Sequence, residues 1–109
     1  MNVCITAQGP NLDSLFEHHF AKAPYFIFYD TKTGKKDAVR NGFIVSDAGL
    51  GRNAVELLKQ NGLEAVITGD IGDHAKSLLD GAGIRVCRFE GMGTATDALN
   101  TILAAYRTT

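Results

Sequence analysis

The chain carries no excess of either charge. Its 11 lysines and arginines stand against 12 aspartates and glutamates, for a formal net charge of -1. Nucleic-acid binding driven by bulk electrostatics shows as a basic excess or stripe, so that class of partner is not expected. The densest basic run, Lys32, Lys35 and Lys36, reads as a solvated turn. Cysteine is also scarce: Cys4 and Cys87 lie too far apart in sequence to suggest a disulfide framework, and no C-x-x-C or Cys/His spacing of structural zinc occurs. No apolar run approaches the roughly 20 residues that span a bilayer, so no membrane role is expected. The opening Asn2-Val3-Cys4-Ile5-Thr6 lacks the basic flank and long apolar stretch of a signal peptide, which makes the cytoplasm the expected compartment.

What is present fits one domain over residues 1–109, near the lower end of what builds a core without staples. Residues 3–7 read as a buried strand. A segment from Gln8 to Lys22 follows with no clean period, long for a connection in a small domain and of the kind that often carries function. The aromatic run Tyr25-Phe26-Ile27-Phe28-Tyr29 is a strong strand signal, and Asp30 to Gly34 supplies turn chemistry. The chain returns as a third strand from Lys36 to Ser46, with an irregularity expected near Asn41-Gly42.

The rhythm then changes. Ala54, Leu57 and Leu58 have helical spacing and stop at Asn61-Gly62; residues 65–68 form a short apolar strand. Ala75, Leu78, Leu79 and Ala82 repeat at i, i+3, i+4 and i+7, and residues 84–89 read as a strand. Ala95, Leu99, Ile102, Leu103 and Tyr106 line a last helix that Thr94 or Thr96 can cap. The order β-β-β-α-β-α-β-α, with a hairpin followed by right-handed crossovers, implies a five-stranded mixed α/β sheet. Its expected order is 3-2-1-4-5 with only strand 2 antiparallel, which resembles the ribonuclease H-like architecture. Strands 1, 3, 4 and 5 then end at one edge, where ligands of open α/β sheets bind.

That edge gathers Glu17, His18, His19 and Phe20 after strand 1, and Asp47, Gly49, Gly51 and Arg52 after strand 3. It also receives Thr68, Gly69, Asp70, Gly72, Asp73 and His74 after strand 4, and Glu90, Gly91, Met92 and Gly93 after strand 5. Three helix amino ends opened by glycines favour an anionic ligand. Histidine is the natural metal ligand of the set, but neighbours such as His18 and His19 on an extended backbone point in opposite directions, and the sequence leaves open which faces the cleft. Cys4 and Cys87 lie inside strands and read as inert core residues.

Two tempting readings fail. Gly49-Leu50-Gly51-Arg52-Asn53-Ala54 matches G-x-G-x-x-A, but the chain leaves little room for a second mononucleotide half. A ribonuclease H nuclease needs an acid on the first strand, and Val3-Cys4-Ile5-Thr6-Ala7 has none.

The stretch Glu17-His18-His19-Phe20-Ala21-Lys22-Ala23-Pro24-Tyr25-Phe26 is similar to an H-F-G-R-A-x-Y-F signature. Gly49 to Leu58, Ala65 to Gly72, Leu79 to Val86 and Gly93 to Leu99 continue the match in order. Together these resemble the dinitrogenase iron–molybdenum cofactor biosynthesis family across nearly the whole chain. The resemblance implies a ribonuclease H-like fold and a non-enzymatic carrier of iron–molybdenum cofactor or an iron–sulfur cluster. Its partners would be cluster-assembly proteins and its ligand His19; the convergent loops would then supply the binding residues His18, Gly49, Gly51, Arg52, Gly69, Gly72 and Gly93. Two positions depart from the signature. Ala21 replaces a glycine and tolerates positive φ poorly, and Lys22 replaces an arginine whose bidentate contacts it cannot reproduce. The alternative expectation is a binder or sensor of a phosphorylated small molecule or nucleotide at the same edge.

Overall fold

The computed structural model describes residues 1–42 and 50–107. Its elements are β1 (Asn2–Ala7), β2 (Tyr25–Asp30), β3 (Lys36–Arg40), α1 (Leu50–Gln60), β4 (Ala65–Thr68), α2 (Asp73–Gly81), β5 (Arg85–Arg88) and α3 (Ala95–Arg107). The strands form one sheet in the order β3-β2-β1-β4-β5. β2 runs antiparallel to both neighbours, and β4 pairs in parallel with β1 and β5. This is the α/β, ribonuclease H-like order read from the sequence.

The pleat explains the layers. Successive side chains of a strand point to opposite faces. Val3, Ile5 and Ala7 of β1 therefore join Ile27, Ala65 and Ile67 in a core closed by Ala95, Ala98 and Leu99 of α3. Cys4, Phe26 and Val66 face the other way, onto Ala54, Val55 and Leu58 of α1 and Ala75 and Leu79 of α2. A central strand buried on both faces needs a largely apolar run, which β1 and β4 have, and their buried Thr6 and Thr68 hydroxyls bond to each other at 2.9 Å. Burial pushes the Cys4 thiol well above its ordinary pKa, so it is an unreactive core residue. No helix among the described residues is long and apolar enough to cross a membrane.

β3 spans Lys36–Arg40 and its ladder stops before Asn41. Asn41 turns inward, and its side-chain amide donates to the carbonyls of Ala21 (3.0 Å) and Ala23 (2.9 Å). Its main-chain N–H donates to Pro24 at 2.8 Å. These bonds anchor the chain to the loop before β2 and end the ladder at the irregularity expected near Asn41-Gly42. Residues 43–46 of the expected strand, and Asp47 and Gly49 of the loop expected after it, lie outside the described residues.

Candidate functional site

β1, β4 and β5 all run toward one sheet edge, and the loop leaving β1 folds back across it. Gln8 N–H donates to Leu15 (2.8 Å), Phe16 N–H to Gly93 (3.0 Å) and Glu17 N–H to Thr6 (3.0 Å). The buried Thr6 hydroxyl adds a bond to the Glu17 carbonyl at 2.6 Å. Two aromatic pegs then fix the segment: Phe16 is sunk in the α3-side core and Phe20 in the α1/α2-side core. Glu17, His18 and His19 are held between them on the rim.

The two histidines go different ways. His18 Nε2 lies 2.9 Å from the Gly91 carbonyl, and its ring meets Phe16 edge-on at 4.9 Å. His19 pairs its backbone with Asp70 and turns toward the loop after β4. Glu17 Oε2 accepts from the His19 main-chain N–H at 3.0 Å and from its Nδ1 at 3.1 Å. A carboxylate on Nδ1 fixes the proton there, so the neutral ring keeps its lone pair on Nε2, which sits 3.8 Å from Asp70 Oδ2. Metal-binding histidines are oriented in this way, with the second nitrogen donating to a carboxylate.

His19, Lys22, Asp70, Gly72 and Arg88 line an open depression of about 350 Å³, floored by Phe20 and Ala75. Gly72 caps α2 with no side-chain hydrogen bond, so the amino end of that helix opens here. A depression of about 290 Å³ at the opposite end of the sheet has Lys35 and Lys36 balanced by Asp30 and Asp37 and holds no histidine. Its balanced charge gives an anion no preference.

The other expected cradle residues take different positions. Gly69 is a point of close backbone approach: a Cβ there would lie 2.8 Å from the His18 carbonyl oxygen. Gly93 adopts φ 140, a left-handed value that favours glycine. The amino end of α3 is already occupied. Thr94 N–H donates to Asp97 (2.9 Å), Asp97 N–H to the Thr94 hydroxyl (3.2 Å), Ala95 N–H to Ser14 (2.9 Å) and Thr96 N–H to Leu12 (2.9 Å). Gly51 and Arg52 fall in the first turn of α1, and Gly49 lies outside the described residues. The structure therefore brings His19 and Gly72 to one depression and puts His18, Gly69 and Gly93 in the rim behind it.

Arg88 was not singled out in the sequence. Its position as the last residue of a strand ending at the convergent edge was the available signal. Ala21 causes no strain, because no non-glycine among the described residues has positive φ. Also among the described residues, no three histidine, cysteine or acidic side chains gather as a set for a metal ion.

Burial pushes the Glu17 carboxyl upward, but hydrogen bonds from the His19 main chain and ring, the charge His19 carries when protonated, and the Gln8 amide outweigh it and hold the pKa below its ordinary value. A depressed pKa adds stability above the unfolded value of about 4.3, and that stability is lost as pH falls through the folded value. Urea midpoints of the wild type and Glu17→Gln should therefore differ at about pH 6 and converge by about pH 3. An equal gap at both would mean that the carboxylate contributes nothing through its charge.

The fold and this rim define an open α/β domain with a carboxylate-oriented histidine at the edge where β1, β4 and β5 end. The family described as dinitrogenase iron–molybdenum cofactor matches residues 1–105, and the chain belongs to it. Among solved structures, the apo form of the orange protein from Desulfovibrio gigas is 31% identical with a TM-score of 0.91, covering 95% of this chain and 88% of that one. A putative NifB protein from Thermotoga is 36% identical with a TM-score of 0.84, covering 94% and 87%. A comparison with curated proteins returns no match.

Proposed function

We propose that this chain is a non-enzymatic carrier for an anionic metal cluster of the iron–sulfur or iron–molybdenum type, exchanged with cluster-assembly proteins. The observation that carries the reading is the orientation of His19. Glu17 holds its Nδ1, and Nε2 opens on a depression bordered by Lys22, Arg88 and the uncapped amino end of α2. Membership in the family supports the class of cargo.

The donor set suits a preformed cluster better than a bare ion. A bare ion needs several protein ligands, and none of the described residues gather into such a set. A cluster arrives with most of its coordination filled, so one imidazole attaches it while positive groups balance its charge. A single attachment also allows release, which a carrier requires. Asp70, the residue nearest Nε2, opposes an anion. It is largely exposed and can swing into solvent, so the cations at the depression decide the balance.

Anaerobic reconstitution with iron and sulfide, followed by metal analysis and absorbance, tests this on wild type and His19→Ala. The wild type should retain iron stoichiometrically, and the substitution should lower retention by at least about tenfold. No iron in either protein, or equal iron in both, would sink the carrier reading. The same cations and helix end also suit a phosphate. A thermal shift with nucleotides or sugar phosphates, in a chain that takes up no iron, would favour a small-anion binder instead.

A further inference from the structure

The structure assigns His18 a role its neighbour cannot share: it is a positioning residue, not a ligand, and it ties together the loops that aim His19. The Gly91 carbonyl is an acceptor only, so the bond at 2.9 Å places the His18 ring proton on Nε2. That commits Nε2 to the Gly91 carbonyl and joins the loop after β5 to the segment after β1. The His18 carbonyl joins the third loop, accepting from Gly69 N–H at 3.1 Å and from Asp70 N–H at 2.5 Å. Phe20 N–H, on the other side of His19, closes the pair by donating to the Asp70 carbonyl at 3.1 Å.

The consequence for His19 is geometric. Residues 18 to 20 run beside Gly69 and Asp70 like a short strand, with His19 and Asp70 as its parallel bridge. Consecutive side chains on extended backbone point to opposite sides. Fixing the His18 ring against Phe16 and Gly91 therefore aims His19 at the depression. The contact with Phe16, itself packed edge-on against Phe89 at 5.1 Å, ties this orientation to the α3-side core. Phe16 also meets the loop after β5, through Gly93, and Phe20 meets the loop after β4, through Asp70, but His18 bonds to both, by its ring to Gly91 and by its carbonyl to Gly69 and Asp70.

The effect on cargo rests on the carrier reading, but the tie itself does not. Amide hydrogen exchange on the metal-free protein tests it directly, with His18→Ala removing the ring and His18→Gln restoring a donor at the same reach. In His18→Ala the amides of Gly69, Asp70 and Phe20 should exchange several-fold to about tenfold faster. The amides of Ile5 and Val66 in the sheet should be unchanged, and His18→Gln should return the rim to wild-type rates. After anaerobic loading with iron and sulfide, His18→Ala should retain less iron with an unaltered absorbance spectrum, and His18→Gln should retain as much as wild type. Unchanged rim exchange in His18→Ala would overturn the proposal. So would a His18→Gln protein with wild-type exchange that loses iron and changes its spectrum, since that would mark His18 as a ligand. If wild type takes up no iron the carrier reading fails, and the exchange rates still decide the role of His18.

Discussion

Replacing Phe20 with alanine should lower the free energy of unfolding by about 3–5 kcal/mol. The side chain is 1% exposed and sits in the core with Cys4, Val66 and Leu79. Its ring packs against Phe26 with centroids 5.9 Å apart. The sheet and two helices enclose the site, so the space left by the ring cannot collapse fully, and the cavity adds to the lost transfer energy. For a domain of this size each kcal/mol moves Tm by about 4–8 °C, so the melting temperature should fall by at least about 12 °C. The adjacent His19→Ala gives the contrast. Its side chain is 62% exposed, and truncation should stay within about 0.5 kcal/mol of wild type. Thermal and urea unfolding of both variants measures the difference. A loss below about 1 kcal/mol for Phe20→Ala would mean that the rim segment is not anchored by its aromatic peg. The two halves of the His-Phe pair thus have separate duties: one holds the loop to the core, and the other faces the depression.

Much of this architecture was legible because it follows local periods. The short, mainly apolar runs at residues 3–7 and 65–68 and the helical spacing of Ala75, Leu78 and Leu79 reappear as β1, β4 and the inner face of α2. Strand order followed from connection lengths and handedness. The inward turn of Asn41 was not legible in the same way, because its partners are the carbonyls of Ala21 and Ala23, some 20 residues away. The rim had the same difficulty. Local geometry showed that His18 and His19 must diverge, but the Gly91 carbonyl, 73 positions further on, fixes which way each points. Thr94 and Thr96 were both readable as caps of the last helix, and Thr94 is the one whose hydroxyl takes the Asp97 N–H. That the loop around Leu12 and Ser14 would cover that helix end was not readable, because it depends on the course of a segment without any period. Arg88 escaped notice because a charged residue ending a strand looks like ordinary solvated surface.

Gly69→Ala and Gly72→Ala should separate two uses of glycine within one short loop. A Cβ at position 69 would lie 2.8 Å from the His18 carbonyl oxygen and 3.0 Å from its Cα, so main chain must move and not merely a flexible side chain. Overpacking of this kind costs about 1–3 kcal/mol. It also pushes away the carbonyl that receives the Gly69 and Asp70 amides, so melting temperature and iron retention should fall together. At position 72 a Cβ meets nothing within 4 Å, and φ -68 with ψ 153 is open to alanine. An alanine at a helix N-cap in place of glycine costs less than about 1 kcal/mol, so Gly72→Ala should melt near wild type. Its methyl nevertheless stands at the uncapped amino end of α2 on the wall of the depression, and iron retention should fall without loss of fold. Melting curves and metal analysis of the two variants, loaded side by side with wild type, distinguish the cases. If Gly72→Ala retains iron as wild type does, the cargo does not reach the α2 amino end, and attachment rests on His19 with Lys22 and Arg88. If Gly69→Ala melts normally, the close packing of the loops after β1 and β4 is not what holds the rim, and the tie through His18 loses its main-chain half.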